Sequence, residues 1–297
     1  MESYRGNYIL TNLESVADLF HLHYRFMDSF VYRGHADTDW KLLSTLVRAC
    51  ANYNNTDNGM IYPSFYENEM INEFKYKYHI YKEFFQPDDN QIVEWLSIMQ
   101  HYGAPTRLID FSDSFFVALY MAISDLYNKD GAIWFLNRQA CRFQFKDGQF
   151  GDDNSMYNMA NQTLLDIPNN KPKRVVYLVK PKYANERLIK QQGLFAMPGC
   201  EYMSLIDNLS PILNDTEGKE IKMSDMILLS NDTDGFGAID YCLIKVNIPK
   251  ELKFEIFHML LKMNITAETL FPGLEGLAKS VNYPRMEFCK KGLMFDY

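Results

Sequence analysis

The sequence predicts an α+β fold: a single mixed domain with a central split sheet and flanking helices. Three observations carry that prediction. Apolar residues recur at helical spacing in several segments, and short β-branched and aromatic runs bounded by turn residues stand between them. The two kinds of segment do not alternate strictly, which separates this chain from a regular βαβ array. The 297 residues contain neither an internal repeat nor a clean linker, so one domain with polar insertions near 52–62 and 146–172 accounts for the whole length.

Taken in order, residues 12–29 read as an amphipathic helix, with Leu13, Val16, Leu19, Phe20 and Tyr24 at helical spacing and Asn12 placed to cap it. Phe30 to Gly34 reads as a short strand ending at a glycine, and 39–50 as a further strand and turn. The polar stretch Asn52 to Gly59 reads as an exposed loop. Helices are expected over 64–85 and 90–101, then over 113–127, where Ser112 or Asp113 can cap the start. Gly131 to Leu136, Val175 to Val179, Gly193 to Met197 and Tyr241 to Val246 read as strands. Residues 146–172 are polar enough to form an inserted lobe or a long loop. A helix over 251–263 and a Thr266-capped helix close the order.

Composition narrows the function classes. With 47% hydrophobic and 15% aromatic residues, the chain can bury a large core, which excludes wholesale disorder. A net charge of −8 offers no global attraction to nucleic acid, so such binding would need a local basic patch. No apolar run approaches the roughly 20 residues that span a bilayer. The start lacks a basic region followed by an apolar stretch, so no secretory signal is expected. Five scattered cysteines without a CxxC pair favour a reducing compartment, the cytoplasm, and disfavour structural zinc. The P-loop, GxGxxG, HExxH and GxSxG patterns are absent, and His21 and His23 lie on different helix faces, so no metal is expected.

The most informative stretch is Gln100 to Ser112, where His, Gln, Thr, Arg, Asp and Ser are crowded between two apolar segments. Buried polar groups need partners, because each one left unpaired costs roughly 1–3 kcal/mol. Those partners are either one another or a polar ligand. Pro105 turns the chain, and Thr106 to Asp110 then alternates as an extended segment, with Arg107, Ile109 and Phe111 on one side and Thr106, Leu108 and Asp110 on the other. His101 titrates near neutrality and suits acid or base work, while an Arg107–Asp110 pair would be purely structural. Three further segments stand beside it. Tyr32-Arg33-Gly34 places an arginine on a buried strand. Its fork suits phosphate or carboxylate, or else pairs with Asp37, Asp39 or Asp110, and Gly34 would allow close approach of a ligand. Arg187 to Phe195 carries adjacent Gln191 and Gln192 before a glycine, as a site rim or as a capped helix end. Leu270 to Ala278 is a turn feeding a short helix in which Glu275 is either catalytic or a first-turn residue.

Together these four segments resemble the FRG domain family. The Phe-Arg-Gly motif that names the family appears as Tyr32-Arg33-Gly34, followed by Trp40. Residues 100–112 match its block Gln-His-x-Gly-x-Pro-Thr-Arg-Leu-(Leu/Ile)-Asp-(Trp/Phe)-(Ser/Thr), and Ala118-Leu119-Tyr120 fits downstream. The Arg187 and Leu270 segments match later elements, so the resemblance runs from about residue 10 to about residue 280. Tyr32 replaces the eponymous Phe, and Glu275 stands where Asp is common. The family occurs in bacteria and phages, near mobile elements and defence genes, which implies a phage-defence or toxin-like role.

The order of elements also resembles a divergent ADP-ribosyltransferase. That likeness implies NAD or a related nucleotide as substrate, with Tyr32, Arg33, Gly34, Gln100, Thr106, Arg107, Ser112 and Gln191 binding it. Arg33, His101, Asp110 and Gln192 are the implied catalytic group. Arg33 would hold the pyrophosphate, Gln192 a ribose hydroxyl, and Asp110 or Glu275 would supply negative charge. The acceptor stays open among protein, nucleic acid and small molecule. Two rival readings are a non-catalytic sensor of a nucleotide or phage component, and a nucleic-acid-acting enzyme. The negative charge and the lack of a carboxylate cluster count against the second of these.

Overall fold

The structure is a computed structural model that describes residues 4–26, 29–54, 62–81, 85–145, 152–165, 172–228 and 240–281. Its strands are β1 (Asn7–Asn12), β2 (Phe30–His35), β3 (Ile109–Ser112), β4 (Gly131–Asn137), β5 (Val176–Val179), β6 (Gly193–Pro198), β7 (Lys219–Glu220) and β8 (Tyr241–Ile248). They form one sheet of eight strands in the order β5-β6-β3-β2-β4-β8-β1-β7. β1 runs parallel to both β7 and β8, and every other pair is antiparallel. The sheet is continuous where a split one was expected, although β2 and β3 share only the residue pair Tyr32–Ser112.

Alternation along the central strands sends side chains into a buried cluster on each face. Val31, Trp134, Leu136 and Leu243 point to one cluster, and Phe30, Tyr32, Ile133, Phe135, Ile244 and Val246 to the other. The first face is covered by α3 (Pro63–Tyr78), α4 (Ile92–His101), α6 (Arg138–Phe143), α7 (Asp153–Leu165) and α9 (Leu205–Leu209). The second is covered by α1 (Val16–Phe26), α5 (Phe115–Ile123), α10 (Met223–Leu228), α11 (Lys250–Lys262) and α12 (Ala267–Leu270). Two more helices, α2 (Thr45–Asn54) and α8 (Glu186–Lys190), lie along the chain between these elements, and α13 (Leu274–Ser280) follows α12.

Two glycines let α5 lie directly on the sheet. A Cβ at Gly34 would come within 2.0 Å of the Ala118 carbonyl oxygen, and one at Gly131 within 2.5 Å of the Ala122 oxygen. Ala118 and Ala122, one helical turn apart, offer the matching small face. Gly34 therefore accommodates a helix, whereas the sequence suggested a ligand.

Several sequence expectations are corrected. Asn12 ends β1 instead of capping a helix, and α1 starts at Val16, where Asp18 accepts from the Ser15 amide at 2.7 Å. Residues 45–54 are helical, not strand and turn, and the rest of the expected 52–59 loop lies outside the described residues. The cap of α5 is Ser114, not Ser112 or Asp113. Most of the described part of 146–172 is α7, which buries Met156, Tyr157, Ala160, Asn161 and Leu164. Its polar composition hid it; the buried Asn161 is satisfied by accepting from the Val93 amide of α4 at 3.0 Å and donating to the Tyr157 carbonyl at 3.0 Å. No helix among the described residues is long and apolar enough to cross a membrane.

Candidate functional site

The site forms where β2 and β3 part. Beyond the Tyr32–Ser112 pair the backbones diverge, and the Arg33 side chain fills the fork. Its Nη1 donates to the Asp110 carbonyl oxygen at 2.6 Å and lies 3.8 Å from the Asp110 carboxylate. Its Nε donates to His35 Nε2 at 3.0 Å. That bond makes Nε2 the unprotonated ring nitrogen; Nδ1 lies 3.2 Å from the Trp40 carbonyl and 3.2 Å from Trp134 Nε1. Burial, and then the Arg33 charge, push the His35 pKa down to about 3, so the ring is neutral. Burial also lowers the Arg33 pKa; Asp110 opposes that shift and nearby Arg48 adds to it. Arg33 keeps 20% of its side chain exposed, and its Nη2 has no hydrogen-bond partner among the described residues.

Asp110 is held from α4. Thr106 Oγ1 donates to Gln100 Oε1, which fixes the amide so that Gln100 Nε2 donates to Asp110 Oδ1 at 2.8 Å. Thr106 is itself anchored to the start of α2, where its amide donates to Thr45 Oγ1 at 2.9 Å. The Asp110 side chain remains 68% exposed, so an oriented carboxylate stands in solvent beside a largely buried guanidinium.

A second polar group flanks the fork. Ser112 donates to the Gln191 carbonyl at 2.7 Å, and Gln191 Nε2 donates to the Leu270 carbonyl at 3.2 Å, tying β3, the end of α8 and α12 together. Gln192 has a left-handed backbone, φ 47°, and its carbonyl accepts from the Asp113 amide at 2.9 Å while its side chain is exposed. Arg187 of α8 lies 3.8 Å from Glu275 of α13, and Lys279 pairs with the same carboxylate at 2.9 Å. Both cations stand over the Phe271 ring. His101 packs edge-on against Tyr102, and its pKa is lowered by burial and then by Arg187, with Glu275 opposing. The Lys279 hydrogen bond holds the Glu275 carboxyl below the usual range.

Residues 28–131 match the family model of the FRG domain. Over that stretch, about a third of its length, the chain is similar to the FRG domain. No curated protein and no solved structure matches the chain. The FRG span contains Arg33, Gln100, His101, Thr106 and Asp110, whereas Arg187, Gln191, Gln192 and Glu275 come from beyond it.

Among the predicted site residues, the fold brings Arg33, Gln100, Thr106 and Asp110 into one hydrogen-bonded group. It takes three others into the interior. Tyr32 is 1% exposed and donates to the Phe26 carbonyl at 2.9 Å. Gly34 lies under α5. Arg107 is fully buried and does not line the anticipated cleft, and it pairs with Glu67 and not with Asp110. Glu67 accepts from Arg107 Nε at 2.7 Å and from Nη2, and Glu201 lies 3.9 Å from Nη1. Burial works against the Arg107 charge, but Glu67, its hydrogen bond and Glu201 together more than offset it, so the pKa is raised. Ser112 serves as a tie, accepting from the Ser114 amide at 2.9 Å. His35, Thr45 and Glu67 escaped the sequence reading. Strand alternation places His35 on the same face as Arg33 and was the available signal. Glu67, in a helix 40 positions away from Arg107, left none. Among the described residues, no group of three or more His, Cys, Asp or Glu side chains is gathered to hold a metal ion.

Proposed function

We propose that the FRG domain binds an anionic, nucleotide-like ligand at the β2–β3 fork, with NAD the first candidate, and that it cleaves the bond between nicotinamide and ribose. One observation carries this reading: Arg33 presents a guanidinium nitrogen that has no partner among the described residues, next to the exposed, oriented carboxylate of Asp110. A planar fork with an open edge suits a phosphate oxygen, and Arg48 adds positive charge nearby. Asp110, steadied by Gln100, would oppose the positive charge that develops on the ribose as nicotinamide leaves with the electron pair of the broken bond. Water or an acceptor hydroxyl then supplies the new bond, and neutral His101 is the candidate to receive its proton.

The wider role that fits is a phage-defence or toxin-like effector acting in the cytoplasm, where the four described cysteines, all free and buried, would stay reduced. A second reading, a sensor that binds without turnover, is favoured by one observation. Neither His101 nor Gln192 is hydrogen-bonded to the Arg33–Asp110–Gln100 group.

The test is to incubate the purified full chain with NAD, with and without cell lysate as a source of acceptor, and to measure nicotinamide. Release that Arg33→Ala and Asp110→Asn both lose, at unchanged thermal midpoints, supports the enzyme. NAD binding without release supports the sensor. No binding in calorimetry removes NAD from both readings.

A further inference from the structure

We propose that the groove between α3 and the last turn of α4 is a second ligand site, separate from the fork, and that it takes an uncharged aromatic or apolar small molecule. α3 lays Met70, Phe74, Lys77 and Tyr78 along one face at helical spacing, and Tyr81 extends that wall from the turn after the helix. Met99, Tyr102 and Ala104 form the opposite wall. The space between them is about 550 Å³, within the range of roughly 300–1,000 Å³ typical of small-molecule sites.

The lining chemistry selects the ligand. Four of the walls are aromatic rings, which favour flat partners through stacked or edge-on contacts. Met70 and Met99 add flexible, polarizable surface that adapts to shape. The two charged groups at the rim, Glu73 and Lys77, pair with each other across one helical turn. They leave no net charge to attract an ion, so charge complementarity favours a neutral molecule. Ala104 is the small residue of the turn wall, and Pro105 after it keeps that turn out of the helix. Tyr81 is 70% and Tyr102 55% exposed, so apolar surface is left in water that a ligand would cover.

The probe is N-phenyl-1-naphthylamine, an uncharged aromatic dye that fluoresces on transfer from water, titrated into the full chain. Saturable binding of one dye per chain is expected. Ala104→Phe fills the groove from the turn, and Met70→Trp fills it from α3. Each is expected to weaken binding at least about tenfold with the thermal midpoint kept. Tyr24→Ala, which removes an exposed ring elsewhere, is expected to bind as the unaltered chain does. The anionic analogue 8-anilinonaphthalene-1-sulfonate is expected to bind more weakly. The proposal is overturned by non-saturable binding, by filling variants that bind normally, or by tighter binding of the anionic dye. It is also overturned if sedimentation shows a dimer that the dye dissociates, since a second copy would then be the occupant.

Discussion

Two arginines illustrate how burial decides a side chain's role. Arg107 is fully buried and held by Glu67, with its Nη1 3.9 Å from Glu201 and without a hydrogen bond, whereas Arg33 reaches the surface of the fork, where its Nη2 has no hydrogen-bond partner among the described residues. Breaking a buried ion pair from one side leaves a charge without its partner, at a typical cost of about 3–5 kcal/mol. Glu67→Ala is therefore expected to lower the urea midpoint sharply. The double variant Glu67→Leu with Arg107→Met is expected to recover much of the loss. His35 supplies the pH dependence. Its pKa falls from the ordinary 6.5 to about 3 in the folded chain, so between those values the unfolded chain takes up a proton that the folded chain refuses. Stability is present above the ordinary value and is lost as pH falls through the window, by up to about 1.4 kcal/mol per pH unit. Urea denaturation at pH 7, 5 and 4 is expected to show the advantage of the unaltered chain over His35→Gln shrinking as pH falls. A gap that stays constant would mean that His35 titrates normally.

Among the elements, α5 is set by small residues. Its backbone lies so close to β2 and β4 that Gly34→Ala would force the helix off the sheet. Overpacking of this kind typically costs about 1–3 kcal/mol, and more where the neighbour is backbone. The expected readout is a lower thermal midpoint together with broadened amide signals for both elements. At the end of α8 the balance runs the other way. Gln192 sits in the left-handed region two positions past the helix, where glycine is the favoured residue. Gln192→Gly is expected to raise stability by about 1 kcal/mol, measured as a shift in the urea midpoint. If the Gln192 side chain holds a ribose hydroxyl, the same variant loses nicotinamide release while becoming more stable.

For the whole molecule, the matched family segment is not a folding unit of its own. Residues 28–131 supply β2 and β3, which meet at one residue pair. The neighbours that complete the sheet on either side, β4 and β6, begin at Gly131 and Gly193. A 28–131 fragment is therefore expected to give the collapsed amide dispersion of an unfolded chain, whereas the full chain gives dispersed signals. The later segments also complete the surroundings of the fork. Gln191 ties β3 to α12, and Arg187 and Glu275 set the charge around His101.

What the sequence determined by itself is local. Its helical segments included α3, α4, α5 and α11. Short apolar runs placed β2, β4, β5, β6 and β8. The crowding of polar groups over 100–112 marked the region of the site. Polar crowding signals that partners must exist but does not name them, and this is where tertiary structure decided the outcome. Arg107 found Glu67 and Asp110 found Gln100 and Arg33, because helix packing and strand order bring distant residues within hydrogen-bonding reach. The strands β1 and β7 and the helix α2 were likewise illegible, since short elements gain their stability from neighbours supplied by the rest of the chain. The open edge of Arg33 follows from the same cause: β2 and β3 part after a single pair, and only the assembled sheet sets where they part.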